Sequence, residues 1–121
     1  MVEFYSNEDK VKRPALITPW SFIHFLFGIL AYSCLKKKVK PVNIVIISNI
    51  IHGIYETKDI IKSNGPNPKT YWSDNSLPNS LGDTIVFNLG LLSGYFYDIN
   101  PLFSVIIYIT FSVFFYYFNL D

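Results

Sequence analysis

With 121 residues, half of them hydrophobic, 16% charged and a net charge of +1, the chain has room for one domain and no general attraction for nucleic acid. Its one cysteine, Cys34, rules out an intrachain disulfide framework, and neither a nucleotide-binding glycine loop nor a Cys/His zinc pattern is present.

Residues 1–16 read as a polar N-terminal tail. They contain no apolar core region and no small-residue cleavage site, so no cleaved signal peptide is expected. Beyond the tail, four apolar stretches over about 17–35, 41–61, 80–97 and 101–120 each approach the roughly 20 residues needed to span hydrocarbon. A chain this short cannot hide four such helices from water. The pattern therefore predicts an all-α, polytopic integral membrane protein: a bundle of four transmembrane helices over residues 17–121, with one long polar loop between the second and third. The lipid bilayer is then the first expected partner.

Helix one opens on Thr18-Pro19, a cap followed by a proline at the first helical position, and carries Ser21, His24, Gly28 and Tyr32 on one face. The turn after it, CLKKKVKP, packs Lys36, Lys37, Lys38 and Lys40 together, which assigns it to the cytoplasmic side. A plain count runs the other way, because the opposite side would collect Lys10, Lys12, Arg13, Lys58, Lys62 and Lys69. Helix two ends in SNIIHGIYETKDII, where three- and four-residue steps bring Asn49, His52, Glu56 and Asp59 within an arc of about 80°. Ionisable groups in a span are costly and normally face protein or water, so this stripe is expected to turn inward, with Lys58 reaching away from it.

The loop KSNGPNPKTYWSDNSLPNS is irregular in composition, and its Tyr71 and Trp72 suit a headgroup-level position. On helix three, Ser80, Asp83, Gly90 and Gly94 share a face, and Gly90-x-x-x-Gly94 is a close-packing spacing. Ser80-Leu81-Gly82-Asp83 also reads as a capping box at the helix start, leaving Asp83 either a cap or a site residue. Asn49, Thr84 and Asn88 read as interhelical hydrogen-bonding groups. Asn100-Pro101 starts helix four, which has no ionisable side chain before Asp121 and reads as a structural wall; Trp20, Tyr116 and Tyr117 form an interfacial aromatic belt.

At a rise of about 1.5 Å per residue, His24, His52, Glu56 and Asp83 all fall in the half of their helices next to the long loop. Both histidines and the acids are thus expected to converge in one polar pocket, with His24, His52, Glu56, Asp83 and Ser80 as candidate catalytic residues. Three chemistries fit. Two neutral histidines with one or two carboxylates, from His24, His52, Glu56 and Asp59, can hold a divalent metal ion with an open position for water. A histidine tuned by Glu56 or Asp83 can act as general base in hydrolysis of a lipid headgroup, with Ser80 or Ser76 as a conceivable nucleophile. Proton or ion relay is the third, and would require a homo-oligomer. The rival class is a non-enzymatic membrane component of a larger assembly; the abundance of Ile, Asn, Lys, Tyr and Phe suits an AT-rich genome, such as that of a large DNA virus with a virion membrane protein.

The segments SFIHFLFG, YETKD and YWSDNSLPNSLGD resemble a bacterial membrane family catalogued as domain of unknown function 2585. The matching positions are Ser21 and His24, Glu56 with Asp59 where the family has a second glutamate, and Ser76, Asn79, Ser80 and Asp83. Asn75 separates Asp74 from Ser76, whereas the family's loop aspartate directly precedes the serine. The resemblance implies which residues matter and brings no activity with it.

Overall fold

The computed structural model describes residues 1–7, 14–63 and 76–118. Expectations for Lys10, Lys12, Arg13, the Lys62 side chain, Lys69, Tyr71, Trp72, Asp74, Asn75 and Asp121 lie outside the described residues.

Four helices carry the fold: α1 Pro19–Leu35, α2 Pro41–Ser63, α3 Leu77–Phe96 and α4 Pro101–Tyr117. Two short strands precede them, where the sequence reading has only a tail: β1 Glu3–Tyr5 pairs in parallel with β2 Ala15–Ile17, in the register Glu3 with Ala15 and Tyr5 with Ile17. Prolines near the first position begin α1, α3 and α4, where the missing N–H costs nothing. Asn100 Oδ1 caps α4 by accepting from the Leu102 and Phe103 N–H groups. α3 starts three residues earlier than the spacing predicts. Its cap is Ser76, whose hydroxyl oxygen accepts from the Asn79 N–H, so the expected Ser80–Asp83 capping box is not the helix start and Asp83 is released for another role.

The expectation of a four-span membrane bundle is overturned: among the described residues, no helix is both long and apolar enough to cross a membrane. The reason lies in length and in polarity. α1 and α4 have 17 residues each, about 26 Å at the helical rise, against a hydrocarbon core of about 30 Å. α2 has 23 residues and α3 has 20, but His52, Glu56, Lys58 and Asp59 interrupt the one and Asn79, Ser80, Asp83, Thr84 and Asn88 the other. A multi-pass membrane localisation and the membrane class fall with this finding, and so does the assignment of the Lys36–Lys40 turn to a cytoplasmic side. Lys36 instead ties two connections together, its ammonium donating to the Asp98 carboxylate and, at 2.8 Å, to the Ile99 carbonyl.

α1 is the central element, packed most extensively on α3 and next on α4, while α2 lies against α3 and more lightly on α1. The α1–α3 contact is nearly backbone to backbone, with Gly28 facing Phe87, Gly90 and Leu91, and Gly90 facing Phe25. Tyr32, Ile44, Phe87 and Leu91 form the buried core beneath Phe27, Ala31, Leu35 and Val39. On the other side of α1, aromatic edges meet α4: Phe22 on Phe111 at 5.3 Å and Trp20 on Phe115 at 6.1 Å.

α2 is held to α3 by a reciprocal amide pair. Asn49 and Asn88 each donate from Nδ2 to the other's Oδ1 at 2.8 Å, the interhelical role the sequence suggests; Thr84 bonds within its own helix, to the Ser80 carbonyl. Replacing Asn88 by Leu leaves Asn49 without its partner. We expect a loss of about 1–3 kcal/mol in chemical denaturation, with part of it recovered in the Asn49→Leu/Asn88→Leu double variant, because the cost is chiefly the unpaired amide.

Candidate functional site

The polar stripe of α2 meets α1 and α3 just above the amide pair. His52 and Glu56, one helical turn apart, are buried at 3% and 5% exposure. The His52 imidazole lies flat on the Phe87 ring, 4.4 Å between centroids and 9° between planes, so its position is fixed by packing. From α1, His24 reaches across with its Nδ1 only 2.9 Å from His52 Nε2, the two rings edge to face. Glu56 Oε1 completes a triangle, 3.6 Å from His24 Nδ1 and 3.5 Å from His52 Nε2.

Asp83 comes from α3 and stands behind His24. Its Oδ2 is 3.3 Å from His24 Nε2, and its Oδ1 accepts a 2.6 Å hydrogen bond from the Ser21 hydroxyl. Ser21 is oriented in turn by accepting from the Thr18 N–H at 3.0 Å. The Thr-Pro start of α1 thus fixes a serine, the serine an aspartate, and the aspartate one imidazole. A carboxylate beside Nε2 favours the proton on that nitrogen, which turns a bare lone pair at Nδ1 toward His52 and Glu56.

Three electron-rich atoms therefore face one point. A proton on His52 Nε2 can satisfy His24 Nδ1 alone, whereas a cation shared by all three atoms satisfies each of them; His52 Nδ1 is buried and has no hydrogen-bond partner among the described residues in either arrangement. The group His24, His52 and Glu56 has its donor atoms within 4.8 Å of one another. The circle through the three atoms, from their separations of 2.9, 3.5 and 3.6 Å, has a radius of about 1.9 Å, so an ion about 0.6 Å out of their plane stands about 2.0 Å from each, a zinc–nitrogen or zinc–oxygen bond length.

Both imidazoles are tuned toward the neutral form that binds metal. Burial lowers the His24 pKa, against the opposing charges of Glu56 and Asp59. Burial, helped by the neighbouring His24, lowers that of His52 from 6.5 to about 4. Because the folded value lies below the unfolded one, the unfolded chain takes up a proton first as pH falls. Stability contributed by the neutral His52 is thus full above about pH 6.5 and is lost as pH drops toward 4, by on the order of 3 kcal/mol. Urea melts of the metal-free protein across this range, compared with those of His52→Phe, measure it as the difference between the two pH slopes.

Of the sequence-derived candidates, His24, His52, Glu56 and Asp83 meet in one cluster. Asp59, one turn beyond Glu56, is outside the donor triangle and lies 3.5 Å from Lys58. Ser80 is buried in the α3 backbone pattern: its N–H donates to the Ser76 carbonyl and its own carbonyl accepts from Thr84. The roles of Ser21 and Phe87 go beyond the sequence reading. Ser21 was legible as a neighbour of His24 on the same face; Phe87 offers only its four-residue spacing from Asp83.

No protein-family model matches the chain, and searches of curated proteins and of solved structures return no match. The function is therefore argued from the site alone.

Proposed function

We propose that this chain is a divalent-metal protein that binds one ion of the zinc class through His24 Nδ1, His52 Nε2 and Glu56 Oε1. The observation that carries the reading is the triangle of three donors from two helices, with separations matched to one ion, behind which Asp83 orients His24. Two histidines, one carboxylate and a fourth position left for water make the donor set of hydrolytic rather than structural zinc centres, which are closed by four protein ligands. The His24 side chain keeps 27% of its surface exposed, so the cluster is not sealed from solvent. A bound ion there lowers the pKa of its water toward neutrality and supplies a hydroxide nucleophile for a carbonyl or phosphoryl centre. The chain's own part is to hold the imidazoles neutral, fix the tautomer of His24 through Asp83 and exclude water from the buried side.

Elemental analysis after dialysis of the full chain against buffered zinc tests this reading. One equivalent of zinc retained by the wild type and lost in His52→Gln is the expected result. Equal retention by both proteins, or none by the wild type, overturns it.

A further inference from the structure

α4 has two apolar seams. On one, Tyr108, Phe111 and Phe115 meet Phe27, Phe22 and Trp20 of α1, and Ser104 is buried on the same side of the helix. The other consists of Leu102, Ile106, Ile109, Val113 and Tyr116, which recur at steps of four, three, four and three residues. At about 100° per residue the two seams lie about 150° apart, on opposite faces of the helix. The outer side chains all stand 53–68% exposed. No charged residue lies between Pro101 and Tyr117 to account for that exposure.

We propose that a second copy of this chain covers the outer seam, its own α4 packed antiparallel to this one about a twofold axis at Ile109. The spacing selects a helix as occupant. Alternating steps of four and three keep a stripe in register with the same stripe on a neighbouring helix, each side chain entering a gap between four others. The area suits a pair of copies: with the flanking Phe103, Phe114 and Tyr117, the seam leaves about 700 Å² of apolar surface in the open, close to the roughly 800 Å² that each partner of a stable interface covers. The composition suits self-association, because a face rich in aromatic side chains and free of charge meets its own copy without repulsion. Charge sets the direction. Lys36 binds Asp98 and the Ile99 carbonyl, which places Lys37, Lys38 and Lys40 with it near the start of α4. Parallel helices would bring two such cationic clusters together, whereas antiparallel ones hold them about 30 Å apart and set Leu102 against the partner's Tyr116.

Sedimentation equilibrium of the full chain in detergent-free buffer tests the proposal. The wild type should sediment as two chains of 14.0 kDa, and Ile109→Glu and Ile109→Lys each as one, with the helical circular dichroism unchanged. An equimolar mixture of the two variants should regain the mass of two chains, because the axis sets position 109 against itself. Ile109→Ala, mild enough at an exposed position to keep the fold, should weaken association about tenfold and decides the matter should a charged variant unfold. Ile50→Glu, on the exposed face of α2, should leave association unchanged. A wild type that sediments as one chain at every concentration, with or without bound lipid, overturns the assignment. So does a dimer as tight in Ile109→Ala as in the wild type, or a mixture of the folded charged variants that stays monomeric.

Discussion

Replacing His52 or Glu56 by glutamine lowers zinc affinity by about two to three orders of magnitude and leaves the helical signal intact. The magnitude follows from sharing a zinc binding free energy of about 10–16 kcal/mol among a few ligands. Retention of the fold follows from where the side chains sit. Glutamine matches glutamate in shape, and at His52 it keeps a polar tip while the Phe87 surface beneath remains covered. Asp83→Asn should give a smaller loss, about 10- to 100-fold, because Asp83 acts only through His24. Competition titration with a chromophoric zinc chelator reads all three variants on one scale, with circular dichroism to check folding. The ranking matters more than any single value: a loss at Asp83 exceeding that at Glu56 would reverse the roles assigned to ligand and support.

Gly90→Ala destabilises the protein by about 3 kcal/mol or more, the upper end for overpacking, because the added methyl would enter a contact between backbones. At Gly90 it meets the Phe25 carbonyl oxygen and the Gly28 Cα, and at Gly28 the Phe87 carbonyl oxygen and the Leu91 nitrogen. None of these atoms can rotate away as a flexible side chain would. α1 and α3 must separate, and with them His24 and Asp83, so zinc affinity falls together with stability. Gly53→Ala is the internal contrast. Nothing lies within 4 Å of a Cβ there, and on the exposed face of α2 alanine should stabilise by about 0.5–1 kcal/mol through helix propensity. Thermal melts of both variants should move in opposite directions.

The helices, the stripe on α2 and the small-residue spacing on α3 were legible because each rests on periodicity: Asn49, His52 and Glu56 recur at helical spacing, as do Gly90 and Gly94; that Gly28 of α1 meets Gly90 is a contact between helices that spacing does not show. The membrane expectation misled for a definable reason. Apolar residues such as Ile50, Ile54, Phe103, Ile106 and Val113 do stand exposed on α2 and α4, but spanning depends on uninterrupted length, which capping trims in α1 and α4 and polar groups break in α2 and α3. Asp83 shows a second limit. Ser80 to Asp83 fits a capping box in sequence, yet Ser76 followed by a proline two residues on caps the helix first, and only the packing of α1 on α3 brings Asp83 to Ser21 and His24. Phe87 beneath His52 is likewise a tertiary contact between helices without a local signature. The pairing of Glu3–Tyr5 with Ala15–Ile17 was hidden because three-residue strands carry too few alternations to register.

X-ray absorption at the zinc edge of the loaded full-length protein tests the central claim most directly. The account predicts a first shell of nitrogen and oxygen at about 2.0–2.1 Å, with the outer scattering of two imidazole rings, reduced to one ring in His24→Gln. A shell containing sulfur from Cys34, or one of oxygen alone without imidazole, would contradict it.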